Sequence, residues 1–255
     1  MCFAFDAHPP DLPPEIAPIA GGAGAELLEL ESADGTRFSA ALAESPEPRG
    51  RAVVILPDVR GLYPFYSELA ERFAAAGHHA IAIDYFGRTA GLGPRDEDFD
   101  YWPHVQKTRP ETVQADAAAA LAALRERTGA DGASTVGFCF GGTQSFLAST
   151  NADLGRAGAI GFYEGLSPER WGDMSPIHRA VDMRGPVLGL YGGADQGIPP
   201  DQLDAFEQAL AGAGVEHEIV VYPGAPHSFF DRRFEEHAEA CEDAWRRVLS
   251  FLGQV

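Results

Sequence analysis

Cysteine is scarce in this sequence, and its few copies lie far apart. The 255 residues include three, at Cys2, Cys139 and Cys241. An odd number at such spacing argues against a disulfide framework, and no Cys or His cluster has the spacing of a zinc site. We therefore expect a reducing compartment and no metal ion. Cys2 and Cys241 are interpreted as ordinary residues of a terminal arm and a helix face.

Basic side chains are also few. Lys and Arg together number 19 against 38 Asp and Glu, which gives a formal net charge of -19. A field of this sign disfavours nucleic acids and anionic membranes as partners, and it opposes anionic substrates unless a local arginine reverses it. We expect a small-molecule substrate, no nucleic acid and no membrane. Whether the protein is a monomer or a dimer stays open.

Long apolar runs are missing as well. No segment approaches the roughly 20 apolar residues that span a bilayer, and the first residues lack the basic start and apolar stretch of a secretory signal. This pattern predicts a cytoplasmic protein. Proline and glycine are concentrated between residues 8 and 24, so we predict an extended arm over 1–24 and a single α/β domain over 25–255.

The sequence does contain a hairpin followed by apolar runs that alternate with helical segments. The predicted strands cover residues 26–31, 38–43, 52–56, 80–84, 134–138, 157–163, 187–191 and 218–222. The predicted helices cover residues 64–76, 110–127, 142–149, 199–211 and 234–252, with an irregular loop over 164–183. This alternation predicts an α/β fold, with a mainly parallel sheet of about eight strands and helices on both faces. In such a sheet, chemistry gathers at the carboxyl ends of the strands.

The segment GFCFGG, residues 137–142, follows one of these strands and opens a helix. Glycines flank Cys139, as a strained strand-to-helix turn requires, and the helix N-terminus behind it favours developing negative charge. A thiolate in this place is a strong nucleophile. From the motif alone, a small buried cysteine in a glycine-rich turn is an equally good explanation.

Two more residues follow separate strands, in the chain order of a nucleophile–acid–base triad. Asp195 lies just past the strand VLGLYG, and His227 lies on the loop after EIVVY. Alone, each has an ordinary explanation as a turn aspartate or an exposed histidine, and Asp201 is a competing carboxylate. The order Cys139, Asp195, His227 matches that of α/β-hydrolases, and three such residues are far more specific than one. We predict a catalytic triad.

An acyl-transfer site also needs backbone N–H groups that stabilise the oxyanion. We predict that Phe140, directly after the cysteine, donates one of them. Val59, on the loop after the strand AVVIL, is expected to donate the other. Pro57 in the same loop has no N–H and is excluded.

Together, GFCFGG, GGADQGIP and PGAPHSFFD resemble the nucleophile, acid and histidine segments of the dienelactone hydrolase family, the carboxymethylenebutenolidases, in order and spacing. The resemblance covers residues 26–252. It implies an α/β-hydrolase fold and a hydrolase without a cofactor that opens an unsaturated, carboxylate-bearing lactone. Members of the family serve the breakdown of chlorinated and other aromatic compounds.

The resemblance also implies a resting state for the nucleophile. Asp58 matches a family acid, most familiar as glutamate, that holds the thiol neutral until the substrate carboxylate displaces it. Aspartate is one methylene shorter, and the alternative is a turn residue paired with Arg60. The same resemblance matches Arg88 to an arginine that binds the substrate carboxylate, where a guanidinium can form two parallel hydrogen bonds. A surface arginine is the alternative.

A second arginine of the family falls at Asp231 in this chain, with Arg232 and Arg233 following. Either arginine replaces it, or the second anchor is missing, which would favour a less anionic ester. Further candidates for the wall of the substrate pocket lie on loops near the strand ends. They are Tyr101, Trp102, Tyr163, Glu164, Trp171 and Ser228.

Two other functions stay open at this stage. One is a general short-chain carboxylesterase or thioesterase with the same triad. The other is a non-catalytic ligand-binding or redox-sensing protein on the same fold, because an exposed reactive cysteine can act as a sensor. A sensor does not need an aspartate and a histidine in this order, so we expect an enzyme, a carboxylic ester hydrolase that forms an acyl-enzyme.

Overall fold

One sheet of eight strands passes through the described part of the chain, which comprises residues 5–16, 18–19, 24–154, 156–231 and 235–253 of a computed structural model. The strands are β1 Glu26–Glu31, β2 Arg37–Ala43, β3 Ala52–Leu56, β4 Ala80–Ile83, β5 Ala133–Phe138, β6 Ala159–Phe162, β7 Val187–Gly192 and β8 His217–Tyr222. Their spatial order is β1-β2-β4-β3-β5-β6-β7-β8. The pairs β1–β2 and β2–β4 are antiparallel, and all later pairs are parallel. The predicted mainly parallel sheet is confirmed.

Helices connect the parallel strands. They are α1 Pro64–Ala75, α2 Gly87–Ala90, α3 Trp102–Lys107, α4 Pro110–Thr128, α5 Phe140–Ala148, α6 Pro168–Trp171, α7 Pro176–Arg179, α8 Pro200–Ala213 and α9 Ala238–Phe251. Proline is the first residue of α1, α4 and α8. At this position a backbone N–H has no acceptor within the helix, so its absence in proline costs no hydrogen bond. Left-handed glycines, Gly129 and Gly214, end α4 and α8.

Burial explains why the inner strands have continuous apolar runs. Every residue of β3, β4, β5, β6 and β7 is buried, as a sheet covered on both faces requires. On one face, α1, α8 and α9 pack through side chains such as Phe73, Phe206 and Trp245. On the other face, α4 packs through Val113 and Leu121. None of the described helices combines the length and the apolar character that crossing a membrane requires.

Four segments differ from the prediction. The stretch between β4 and α4, for which no helix was predicted, contains the short helices α2 and α3, so Trp102 begins a helix. The loop after β6 is not irregular throughout, because Ser167 and Ser175 cap the short helices α6 and α7. The helix after the cysteine begins at Phe140 rather than at residue 142. The closing helix α9 begins at Ala238 and follows a 3-10 turn over Glu235–His237; its predicted start at Phe234 lies outside the described residues.

The described residues of the predicted arm pack against helices α1 and α9. The Trp245 indole N–H donates to the Pro10 carbonyl at 3.2 Å. Asp11 pairs with Arg72 of α1 at 3.0 Å. This stretch is therefore docked on one helical face of the sheet.

Candidate active site

The turn between β5 and α5 is the strained elbow that the GFCFGG motif predicts. Cys139 has φ 53° and ψ −114° there, in the left-handed region that non-glycine residues rarely adopt. A Cβ at Gly141 would lie 2.1 Å from the Leu56 carbonyl oxygen, so only glycine lets the helix approach β3 this closely. The half-buried Cys139 side chain packs against the core at the carboxyl end of β5.

Asp195 and His227 are brought together by the two neighbouring strands β7 and β8. The distance from His227 Nδ1 to Asp195 Oδ2 is 2.6 Å. The other carboxylate oxygen, Oδ1, accepts the Gly197 N–H at 2.9 Å. Burial by itself would raise the pKa of Asp195, but the hydrogen bond and charge of His227 outweigh it and hold that pKa below its ordinary value. With Nδ1 bound to the Asp195 carboxylate, Nε2 lies on the side of the ring away from Asp195.

Backbone strain concentrates at this edge of the sheet. Within the described residues, three non-glycine residues have positive φ: Cys139, Tyr163 and Ser228. They follow β5, β6 and His227. The Tyr163 ring centroid lies 4.9 Å from that of His227 and 6.2 Å from that of Phe138, so this buried ring sits between the elbow strand and the histidine. Strain of this kind gathers at functional sites, where surrounding contacts maintain it.

Two buried backbone N–H groups border the elbow without an acceptor. Val59, on the loop after β3, is 7% exposed, and Phe140, the first residue of α5, is 4% exposed. Neither N–H donates a hydrogen bond within the described ranges. Buried N–H groups are nearly always paired, so two such donors without an acceptor at the elbow are unusual.

Two tyrosines hold the loop that carries Val59. The Tyr66 hydroxyl accepts the Asp58 N–H at 2.9 Å, and the Tyr85 hydroxyl donates to the Pro57 and Asp58 carbonyls. Burial raises the pKa of Tyr66 well above its ordinary value, so it stays neutral. Neither tyrosine belongs to a motif, so the sequence did not predict this role. The one available signal is that Tyr85 comes directly after a buried strand.

Asp58 is fully buried on the same loop. Its Oδ1 accepts the Arg60 N–H at 2.9 Å, which is the turn geometry given above as the ordinary explanation for an aspartate at this position. The Arg60 guanidinium lies over the Tyr63 ring, with 5.6 Å from Cζ to the ring centroid. The role of Asp58 as the resting partner of Cys139 remains a prediction.

Arg88 lies in an ion-pair network rather than at a vacant anion site. Its Nη1 binds Asp34 and also donates to Thr36 Oγ1 at 2.7 Å, and its Nη2 donates to Asp116 Oδ1 at 2.7 Å. Asp34 belongs to the β1–β2 turn and Asp116 to α4, where its side chain is 1% exposed. Both carboxylates already oppose the single positive charge, so the predicted role in binding a substrate carboxylate gains no support from this arrangement.

The other predicted pocket residues have varied surroundings. Ser228 is buried beside His227, whereas Trp102 is 51% exposed at the start of α3. Tyr101 is half-buried and packs against the α4 face. The Trp171 ring lies 5.7 Å from Phe140, beside the elbow. Arg232 and Arg233 lie outside the described residues, as does Cys2.

Cys241 contrasts with Cys139. Its thiol is buried on α9 and donates to the Phe229 carbonyl at 3.3 Å. Burial raises its pKa to about 12. A thiol with this pKa is not a nucleophile at neutral pH, so the expectation of an ordinary helix-face cysteine agrees with its surroundings.

Comparison with known proteins agrees with this geometry. The model of the dienelactone hydrolase family matches residues 38–255. The chain belongs to the dienelactone hydrolase family. A "Putative carboxymethylenebutenolidase" of Methylorubrum extorquens is 30% identical over 265 residues, which cover 99% of this chain and 88% of the relative. A protein of the same name from Escherichia coli K12 is 32% identical over 213 residues, 79% of this chain and 76% of the relative.

A solved structure extends the likeness to three dimensions. The crystal structure of a "Putative Dienelactone Hydrolase" from Klebsiella pneumoniae superimposes with a TM-score of 0.76 at 30% identity, and the match covers 90% of this chain and all of that one. The predicted α/β-hydrolase fold is therefore confirmed, and the chain is an ester hydrolase of this family that acts on small molecules. The alternative of a non-catalytic binding or redox-sensing protein is set aside.

Proposed function

We propose that this dienelactone hydrolase family member cleaves a small ester or lactone with a Cys139–His227–Asp195 triad, through a thioester acyl-enzyme. The observation that carries the proposal is the 2.6 Å contact between His227 Nδ1 and Asp195 Oδ2. It leaves the second ring nitrogen of His227 as the base. The strained turn at Cys139 supplies a thiol at the same edge of the sheet.

Acylation follows from these positions. His227 Nε2 takes the Cys139 proton as the sulfur attacks the carbonyl carbon, and Asp195 stabilises the imidazolium that forms. The carbonyl oxygen becomes an oxyanion, for which the unmet N–H groups of Val59 and Phe140 are the proposed donors. When the C–O bond of the ester breaks, His227 returns the proton to the departing oxygen. In a lactone that oxygen stays attached to the acyl group.

Deacylation reverses the proton movements. His227 removes a proton from water, and the hydroxide attacks the thioester carbonyl. The C–S bond then breaks, and the sulfur of Cys139 recovers the proton from His227. The product carboxylic acid leaves a free thiol. Asp58, buried on the neighbouring loop, is proposed to keep that thiol neutral between turnovers; its burial and its loop support the role.

The charge of the substrate is the point on which the proposal departs from the expected carboxylate-bearing lactone. Asp34 and Asp116 already neutralise Arg88, and the chain carries a formal net charge of -19. An additional carboxylate would meet both the local and the global negative charge. We therefore favour an uncharged ester or lactone as the substrate, which is the short-chain carboxylesterase alternative on the same triad.

The test compares two substrates and two matched cysteine variants. Wild type, Cys139→Ala and Cys241→Ala are assayed on a neutral aryl acetate and on a carboxylate-bearing dienelactone. Intact-protein mass spectrometry after rapid acid quenching detects the acyl-enzyme. We expect a higher kcat/KM for the neutral ester, a mass increase of one acetyl group on Cys139, and wild-type rates for Cys241→Ala.

The same experiment can fail in two distinct ways. Full activity in Cys139→Ala would remove the triad proposal altogether. A strong preference for the dienelactone would keep the triad but contradict the assignment of an uncharged substrate, and it would direct attention back to a cationic anchor.

A further inference from the structure

A carboxyl group that the proposed chemistry does not use lies behind the site. Glu164 follows the strained Tyr163 at the end of β6 and is fully buried. Its Oε1 accepts a hydrogen bond from the Tyr191 hydroxyl of β7. Within the described residues, Oε2 has no hydrogen-bond partner. Buried carboxyl groups are usually paired with a cation or fully hydrogen-bonded, so this one calls for a physical explanation.

Three glycines on three different elements make room for the Glu164–Tyr191 pair. A Cβ at Gly161 of β6 would lie 2.5 Å from Glu164 Oε2, and one at Gly142 of α5 would lie 2.6 Å from Glu164 Cβ. A Cβ at Gly189 of β7 would lie 2.7 Å from the Tyr191 ring. Gly161 and Gly189 are direct neighbours in the register of the sheet. The close approach of α5, β6 and β7 therefore leaves the pair room only where glycine replaces a larger residue, which restricts the position of the carboxyl group.

The charge state of Glu164 follows from the same surroundings. Tyr191 faces it from β7, and Gly142 and Gly161 bring no side chain from α5 and β6. His227, on the loop after β8, lies close enough to act on it electrostatically. Burial raises the pKa of Glu164 well above the ordinary value, and no arginine or lysine of the described residues is among the groups that lower it. Burial therefore favours the neutral form of this carboxyl group, whereas the Asp195 carboxylate bonds directly to His227 Nδ1.

We propose that Glu164 is a positioning residue for the general base: bound to Tyr191, it holds Tyr163 in its left-handed conformation, and the Tyr163 ring holds the imidazole of His227. This inference rests on the proposed role of His227. The Tyr163 N–H donates to the Leu190 carbonyl at 2.9 Å, which ties one side of the strained residue to β7. The Glu164–Tyr191 hydrogen bond ties the other side to the same strand, so the left-handed turn is clamped between two fixed points.

The test uses variants that change the clamp without touching the reacting groups. Glu164→Ala removes it, Tyr191→Phe removes only the hydroxyl, and Glu164→Gln keeps both the size and the acceptor oxygen. We expect kcat to fall roughly 10- to 100-fold in the first two, with KM little changed, because small displacements of a catalytic group have effects of this size. Glu164→Gln should stay within about threefold of wild type, since a neutral acceptor is all that the clamp needs.

A spectroscopic measurement separates positioning from mere stability. The low-field proton resonance of the His227–Asp195 hydrogen bond should persist in Glu164→Gln and shift or broaden in Tyr191→Phe. Tyr222→Phe is the matched control. The Tyr222 hydroxyl also binds a carboxylate, that of Asp243, at 2.9 Å, but this pair joins β8 to α9. The control variant should keep the wild-type kcat and resonance.

Two results would overturn the inference. One is a wild-type kcat per folded molecule in both Glu164→Ala and Tyr191→Phe. The other is a loss in Glu164→Gln as large as in Glu164→Ala, which would mean that the charge of the carboxyl group matters and not its hold on Tyr163. His227→Ala in the same series keeps the two proposals apart. If that variant retains activity, the base assignment itself fails.

Discussion

The two halves of the sheet use their polar groups differently at the carboxyl ends of the strands. At the ends of β5 and β6, Cys139 and Tyr163 have strained backbones, and the largely buried His227 lies beside them. The N–H groups of Phe140 and of Val59, which follows β3, have no acceptor within the described residues. Around β1, β2 and β4, charges are paired. Arg88 binds two aspartates there, and the 4% exposed Arg95 side chain binds Asp84 at 2.6 Å.

This difference separates chemistry from structural stabilisation. Unmet donors and strained residues cost folding free energy, and they are useful where a substrate supplies the missing partner. A buried arginine already bonded to carboxylates has no such use, because its charge is offset before a substrate arrives. We infer that the first half selects and cleaves an acyl group, while the second half fastens the hairpin to α4 and contributes no charge recognition.

The largest expected effect lies in the reactive half. His227→Ala should lower kcat/KM for a neutral ester by roughly 1,000- to 10,000-fold, because the thiol loses its base and the leaving group its acid. Steady-state kinetics with circular dichroism as a check on folding measures it. His217→Ala, at the opposite end of β8, is the control and should be fully active. A loss below about tenfold in His227→Ala would be incompatible with the triad.

The second prediction concerns the paired half. Arg88→Ala should lower the free energy of unfolding by about 3 kcal/mol, because it leaves the buried Asp116 carboxylate without its cation. Activity on the neutral ester should be unchanged at temperatures where the variant is folded. Urea denaturation and the ester assay measure the two quantities.

Arg127 provides a matched control for this prediction. It also binds two carboxylates, Glu26 at 2.7 Å and Glu44 at 2.8 Å, but its side chain is 40% exposed. Exposed ion pairs contribute little, so Arg127→Ala should change stability by less than about 1 kcal/mol. If Arg88→Ala instead left stability unchanged and raised KM only for an anionic lactone, the division between the two halves would be wrong.

Much of the reactive half could be predicted from the sequence because its constraints are local. The glycines around Cys139 are needed by one turn. Asp195 and His227 each follow a strand, the buried β7 and the partly exposed β8. Chain order then links the three residues, since the ends of parallel strands meet at one edge. The fold was predictable for the same reason: continuous apolar runs and helical spacing are both properties of short segments.

The paired half was harder to predict because its contacts join distant parts of the chain. Arg88 occupies the position of a family anchor, and only the meeting of the β1–β2 turn with α4 shows that Asp34 and Asp116 take up its charge. The hydrogen bonds of Tyr85 to the loop after β3, and of Glu164 to Tyr191, likewise depend on which strands are neighbours. Neither a lone tyrosine nor a lone glutamate forms part of a sequence pattern that predicts such a contact.

The smallest predicted effect tests the neutral carboxyl group behind the reactive half. The folded-state pKa of Glu164 lies above the ordinary value of 4.5, so the folded protein keeps a proton that the unfolded chain releases. The stability of wild type should therefore fall as pH rises from about 4.5 toward the folded-state pKa. Glu164→Gln has no proton to exchange, and its stability relative to wild type should increase over that window by an amount on the order of 1 kcal/mol.

Chemical denaturation at a series of pH values between about 4.5 and 8 measures this difference. Glu207→Gln, on the exposed side of α8, is the control and should follow the wild-type curve at every pH. A folded-state pKa near or below 4.5 would instead leave the wild-type and Glu164→Gln curves parallel over this range, because the carboxyl group would be ionised in the folded and the unfolded chain alike. That outcome would place a second negative charge beside His227 and raise the basicity of the imidazole. The reactive half would then resemble the paired half at Arg88, where two carboxylates oppose one cation.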